Sequence, residues 1–152
     1  MLQEQLKTDM KTALKARDEL RLTTLRGVLS AITNELVAQK RKSDEAATDD
    51  DVLAVLKRAV KQRKDSIEQF EKGGRQDLAD KEKAELAILE AYLPAQASRE
   101  EVEAAVQRAL DAAGDVDLSK VGIVVGLAMK ELRGNADGTL VKEVVTEKLQ
   151  AN

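Results

Sequence analysis

The sequence contains no cysteine, no histidine and no tryptophan. Without cysteine there is neither a disulfide nor a thiolate nucleophile, and without cysteine and histidine the usual zinc sites cannot form. The lack of histidine also removes the most common general base. These absences exclude much of enzyme chemistry, and we expect no catalytic residues and no bound metal.

Large aromatic side chains are almost missing, since Phe70 and Tyr92 are the only two. Leu, Val, Ile and Ala must therefore form the core, and they offer a flavin or haem ring little to stack on, so we expect no cofactor. Carboxylates do occur in pairs, but at predicted helix starts and turns, where acids favour the helix dipole. An unrecognised enzyme would need carboxylates and lysines to converge in a pocket, and the sequence gives no sign of this.

Long apolar runs are missing as well. The first twenty residues carry Glu4, Asp9, Asp18 and Glu19 among their apolar positions, a pattern that excludes a signal peptide. No later stretch approaches the roughly 20 apolar residues of a membrane-spanning helix. We therefore expect a cytosolic protein without a membrane segment.

What is abundant favours helices. Ala, Leu, Val, Lys, Glu, Gln and Arg dominate, and 35% of the residues are charged, a helix-forming composition. Apolar residues recur every three or four positions in seven segments, which predicts helices over about 2–16, 18–42, 49–72, 76–93, 99–113, 118–133 and 138–149.

Stop and start signals divide these helices into two groups. The single proline, Pro94, ends the fourth helix because the residue before a proline disfavours helical geometry. Ser98 and Glu101 have the spacing of a capping box at the start of the fifth. We therefore predict an all-α protein of two helical bundles: a four-helix N-terminal domain (1–93), a linker (94–98) and a three-helix C-terminal domain (99–152).

One basic stretch could bind phosphates. Residues 57–64 hold five basic side chains and no acid, and the candidate patch consists of Lys57, Arg58, Lys61 and Lys64. The alternative is a solvated helix face, which the equal numbers of acids and bases in residues 1–93 favour. The scarcity of aromatics disfavours single-stranded partners, so a folded RNA recognised by shape fits better.

Two features of the C-terminal part have a functional and a structural interpretation. Helix-start amides after the turn at 134–139 could contact an anion or an RNA backbone, but a tight turn with Asp137 as N-cap explains the same residues. Gly122 and Gly126 lie one turn apart in the sixth helix, where each glycine costs roughly 1 kcal/mol relative to alanine. We expect a close neighbour on that face, either another helix of the bundle or an RNA or protein surface.

Three segments carry a family resemblance: KVGIVVGLAMKELRGNADGTLVKEVV at 120–145, Tyr92-Leu93-Pro94 and Asp9-Met10-Lys11. Together they resemble the YqeY family. The resemblance extends over essentially the whole chain, and the Ala136-Asp137-Gly138 turn is among its most specific parts. YqeY proteins are similar to the C-terminal tail domain of the B subunit of glutamine-dependent tRNA amidotransferases.

The resemblance implies a helical N-terminal domain joined to a three-helix C-terminal domain. In the amidotransferase, the tail domain is associated with holding tRNA, while the chemistry lies in other domains and subunits. A label of carbon–nitrogen ligase with glutamine as amido-N-donor would therefore describe an association, and we expect no such activity in this chain.

We expect a non-catalytic tRNA-binding or amidotransferase-associated module, with tRNA and a protein of tRNA aminoacylation or amidation as partners. The RNA-facing residues predicted around the last interhelical turn are Lys130, Arg133, Asn135, Gly138 and Lys142. The C-terminal part is net acidic, so an RNA contact there must be local and sensitive to salt. The rival hypothesis is a protein-interaction adaptor with no RNA role, which an exposed apolar stripe on the first or third helix would favour.

Overall fold

A computed structural model describes residues 1–151, and Asn152, the last residue of the predicted C-terminal domain, lies outside them. The described residues form helices and short connections, so the predicted all-α class is confirmed. None of these helices is long and apolar enough to cross a membrane. The helices are α1 (Leu2–Ala16), α2 (Glu19–Ala38), α3 (Asp49–Lys72), α4 (Gln76–Glu90), α5 (Arg99–Ala113), α6 (Val121–Glu131) and α7 (Gly138–Gln150).

The chain forms two compact units. The N-terminal unit spans Met1–Leu93 and contains α1 to α4, with α1 packed along α2 and α3 along α4. Its core is aliphatic, as expected from the shortage of aromatics, and the side chains buried most completely include Leu6, Leu25, Ile32, Leu36, Leu56 and Leu89.

α3 begins at a reciprocal cap. The Thr48 hydroxyl accepts from the Asp51 amide at 3.1 Å, and the Asp51 carboxylate accepts from the Thr48 amide at 2.9 Å. Each of these bonds satisfies an amide that helix geometry leaves without a partner. The helix therefore starts at Asp49, as the periodicity predicted.

α2 is shorter than the predicted helix over 18–42, because it ends at Ala38 and Lys40 adopts a positive φ of 60°. The guanidinium of Arg41 turns back and donates to Asp51 at 2.7 Å and to Glu45 at 2.9 Å. In a longer helix, Arg41 would interact favourably with the helix C-terminus. In the structure, these charge-assisted hydrogen bonds take the place of that interaction. Just beyond the end of α2, Arg41 therefore makes a tertiary contact with the first turn of α3, which periodicity does not report.

The C-terminal unit begins at Pro94 and contains α5, α6 and α7. Its predicted capping box is present, since the Ser98 hydroxyl accepts from the Glu101 amide at 3.2 Å and the Glu101 carboxylate accepts from the Ser98 amide at 2.7 Å. The core consists mainly of valines, including Val102, Val106, Val124, Val141 and Val144.

The sixth predicted helix is divided in the structure. Residues Leu118–Lys120 form a single 3₁₀ turn, and α6 then runs only to Glu131. The chain reverses through Arg133 and Gly134, whose φ angles are 53° and 70°. The predicted end at Arg133 was therefore too late, because a left-handed residue cannot continue the helix.

Candidate nucleic-acid interface

The five residues predicted to face RNA lie at the connection between α6 and α7. Lys130 is in the last turn of α6, and the connection contains Arg133 and Asn135. Gly138 is the first residue of α7, and Lys142 follows one turn later. All are exposed except Asn135, which is half-buried and whose backbone carbonyl accepts from the Ala97 amide at 2.7 Å. Asn135 therefore has a structural contact inside the unit.

The start of α7 already has an anionic cap. An oxygen of the Asp137 carboxylate accepts from the Thr139 amide at 2.9 Å. This is the tight interhelical turn that the sequence offered as the alternative to an anion site. Because the carboxylate satisfies one amide and places a negative charge beside the others, a phosphate gains little at this helix start.

The lysine side chains at the connection are better placed to bind an anion. Within residues 1–151, neither Lys130 nor Lys142 has an acidic side chain within ion-pair distance, and both are exposed. Several acids of the same unit are occupied elsewhere. Arg99 on α5 pairs with Glu103 at 3.1 Å and with Glu147 at 2.6 Å.

Glu131, at the end of α6, is occupied in the same way. Its carboxylate lies 2.5 Å from the guanidinium of Arg108 on α5. The nearest acid of α6 therefore already has a cationic partner. Lys130, Arg133 and Lys142 are thus exposed cations in a unit that is acidic as a whole, and Asp137 and Glu143 are the acids beside them.

A cleft of about 720 Å³ in the same unit has the opposite charge. Its charged lining residues are Asp111, Asp115 and Asp117, and no lysine or arginine lines it. Hydrogen bonds from the hydroxyl and the backbone amide of Ser119 hold the pKa of Asp117 below its ordinary value. The acids of residues 1–151 form no group suited to holding a metal ion. The cleft therefore repels phosphates.

The basic patch on α3 is largely engaged within its own unit. Arg58 donates to Glu35 on α2 at 2.5 Å, which is the main reason that the pKa of Glu35 lies below its ordinary value. Lys64 lies 3.8 Å from Glu90 on α4. Lys57 is half-buried and also engaged, whereas Lys61 is exposed and has no ion pair in the described chain. These contacts favour the interpretation of the patch as a solvated, structural helix face.

The expectation of a close neighbour at Gly122 and Gly126 is wrong for the fold itself. A Cβ added at either glycine would meet nothing within 4 Å. α6 packs against its own unit with the opposite side, through Val124 and Ala128. Beside the glycines, Ile123 is 59% exposed and Leu127 41% exposed.

Sequence reasoning missed this exposed apolar surface, although a signal was present. α6 is apolar on both sides, and a helix in a minimal bundle has enough neighbours to cover only one of them. The rival adaptor hypothesis looked for an apolar stripe on the first or third helix. The structure places the stripe on α6.

Two of the segments that carry the YqeY resemblance meet in the N-terminal unit. The hydroxyl of Tyr92 donates to the carboxylate of Asp9 at 2.6 Å, although the residues are 83 positions apart. Burial of the phenol, the main cause, and this hydrogen bond, the second, raise the pKa of Tyr92 to about 12. The bond fastens the chain just beyond α4 to α1 and has a structural role.

Comparison with known proteins agrees with this architecture. Residues 3–149 match the family described as Yqey-like protein. The chain belongs to the YqeY family. The resemblance inferred from residues 9–11, 92–94 and 120–145 is thereby confirmed.

Three relatives of this YqeY chain carry the name "Altered inheritance of mitochondria protein 41, mitochondrial". The protein of Kluyveromyces lactis is 49% identical, and that of Lachancea thermotolerans 44%. Each of these matches covers 69% of the chain and 56% of the relative, so the chain spans little more than half of their length. The protein of Vanderwaltozyma polyspora is 38% identical over 91% of the chain and 71% of its own length.

These relatives correct the predicted cytosolic location. The three proteins are named as mitochondrial, whereas the prediction rested on the acids among the first twenty residues and on the lack of long apolar runs. Such a composition suits any aqueous compartment, so it contains no physical information about which one the protein occupies. The cytosolic prediction is therefore wrong as an inference from this sequence.

Proposed function

We propose that this YqeY protein is a non-catalytic module that binds folded tRNA through the connection between α6 and α7. The observation that carries the proposal is the position of Lys130 and Lys142, which are exposed and unpaired within the described chain, while α5 arginines hold nearby acids. Arg133 adds a third exposed cation to the same connection.

Membership of the YqeY family supports the same tRNA-binding role. YqeY proteins are similar to the tail domain of tRNA amidotransferases, which is associated with holding tRNA while other parts perform the chemistry. We propose that the carbon–nitrogen ligase label applies to this chain by association alone. Its protein partner would then be a component of tRNA amidation or aminoacylation, and the two units would act as separate domains.

The expected strength of binding follows from the small number of cations. A duplex contact by Lys130, Arg133 and Lys142 would give log K a slope of about −2 to −3 against log salt concentration. Affinity of this kind is modest and mostly electrostatic. We therefore expect binding at low salt that is largely lost at physiological salt.

The test is equilibrium binding of the full chain to folded tRNA over a salt series. Lys130→Glu combined with Lys142→Glu should abolish binding. The matched pair Lys11→Glu with Lys81→Glu changes the net charge equally, at exposed positions of the N-terminal unit outside the α3 patch, and should preserve most of the binding. Loss of binding in both pairs alike would indicate nonspecific attraction, and absence of binding at low salt would refute the RNA proposal.

A second role is favoured by one observation, the exposed apolar surface of α6. Ile123 and Leu127 are large aliphatic side chains that the fold leaves partly in water. Neighbouring exposed apolar residues commonly mark a protein-binding surface. We therefore keep the adaptor hypothesis, in which the chain binds another protein, as the second candidate function.

A further inference from the structure

The exposed apolar surface of α6 is continuous with the 3₁₀ turn before it. Its residues recur every three or four positions, so they share one side of the helix. Every one of them is exposed. We call this side the outer face of α6, and it consists of Ser119, Gly122, Ile123, Gly126, Leu127 and Lys130.

The centre of the outer face is shaped for close approach. The two glycines leave the backbone of α6 bare, because no atom of the unit lies within 4 Å of an added Cβ. Ile123 projects from the same side, and Leu127 follows Gly126. Small residues one turn apart allow a second helix to pack near the short end of the usual 8–10 Å interaxial distance. The aliphatic side chains would then be removed from water.

The charge of the outer face is positive. Lys130, at its end, is its only charged residue, and Lys120 lies beside its beginning, about 15 Å from Lys130 along the helix. Glu131 pairs with Arg108, whereas Asp117 keeps its negative charge while it accepts from Ser119, and it interacts electrostatically with Lys120. Neither Lys120 nor Lys130 forms an ion pair within the described chain, so a partner with acids at both ends would complement them.

These charges argue against a second copy of the chain. In a symmetric dimer the same patch faces itself, so either orientation of two α6 helices places lysines opposite lysines. An RNA surface would satisfy the lysines, but its polar backbone would leave Ile123 and Leu127 without apolar partners. A helix of a different protein satisfies both requirements.

We infer that the outer face of α6 binds an amphipathic helix of a partner protein. Small or apolar residues of that helix pack on Gly122 and Gly126, and acids near its two ends meet Lys120 and Lys130. This surface shares only Lys130 with the proposed RNA contact, since its central residues are apolar and lie outside the set at the α6–α7 connection.

The test places a photo-crosslinking amino acid at position 123 of the full chain, in an extract of the source cells. The crosslinked peptide is sequenced by mass spectrometry and then synthesised with a fluorescent label. Gly126→Leu blocks the close approach without a clash inside the unit. Gly27→Leu is the matched control, because Gly27 is also an exposed helical glycine with open space around it.

We expect a peptide from another protein that is amphipathic and has acids about ten positions apart. Gly126→Leu should weaken binding of the synthetic peptide about tenfold or more, whereas Gly27→Leu should leave it unchanged. Circular dichroism will show that both variants are folded. A crosslink to RNA, a crosslink to a second copy, no crosslink, or equal binding by Gly126→Leu would each overturn the inference.

Discussion

Asp9→Asn should lower the pKa of Tyr92 and weaken the N-terminal unit. In the native protein the phenol is partly buried and donates to the Asp9 carboxylate at 2.6 Å, and both effects penalise the phenolate. Asparagine removes the negative charge but preserves the size of the side chain and an acceptor oxygen. The pKa of Tyr92 should therefore fall from about 12 toward its ordinary value of 10, and burial should hold it above that value.

The size of the effect on stability at neutral pH follows from the hydrogen bond. The pKa difference between 10 and about 12 measures only the stability that is lost at alkaline pH, and its largest cause is burial of the phenol. A hydrogen bond to a charged group contributes about 1.5–3 kcal/mol, and because Tyr92 is only half-buried, solvent screening reduces this to about 1–2 kcal/mol. Tyr92→Phe should therefore lower the thermal midpoint of a unit of this size by about 5–10 °C.

The dependence on pH has a definite sign. Because the folded state holds the phenolic proton more tightly than the unfolded state, this contribution is fully present below pH 10. It is lost as the pH rises from 10 to about 12. Tyr92→Phe should remove this part of the alkaline loss of stability, which urea unfolding at a series of pH values will measure.

The composition of the chain makes the assay direct. Tyr92 is the only tyrosine and there is no tryptophan, so tyrosinate absorbance reports this one side chain. The titration is performed in buffer and in urea, with circular dichroism to follow folding. If Tyr92 titrates alike in both solvents, or if Asp9→Asn leaves its native titration unchanged, the reasoning about this bond is refuted.

Two further predictions concern helix packing. Glu85→Ala should destabilise the N-terminal unit by about 1–3 kcal/mol, because it removes the carboxylate 3.3 Å from Arg63 in an ion pair whose side chains are only 13% and 20% exposed; urea unfolding measures the loss, and no change would show that water screens this pair. Gly126→Ala should instead stabilise the protein by about 0.5–1 kcal/mol, because the new methyl group enters open space; a lower thermal midpoint would contradict the described surroundings of α6.

Much of the local structure was readable from the sequence. The three- and four-residue spacing of aliphatic side chains predicted helices that the structure contains. Thr48 and Ser98 have hydroxyls that can satisfy helix-start amides, and both cap their helices. These features depend on neighbours within a few positions, so periodicity and capping chemistry contain the information they need.

Ion pairs between residues that are distant in the sequence could not be predicted from periodicity or capping chemistry. Arg58 reads as part of a basic patch in the sequence, yet in the fold its charge is matched by Glu35, 23 positions away. Arg41, just beyond α2, bonds to Asp51 at the start of α3. A charge pattern along the chain gives no distance to charges on other helices, so the candidate patch could not be judged before the helices were packed.

The sequence by itself determined the helical class, the aliphatic core and the resemblance that the family match confirmed, because composition and local spacing act through short-range forces. Only the tertiary structure decided which lysines stay unpaired, which side of α6 faces solvent, and that Tyr92 meets Asp9. Each of these depends on which helix faces bury one another, and burial is a property of the packed unit rather than of any one segment.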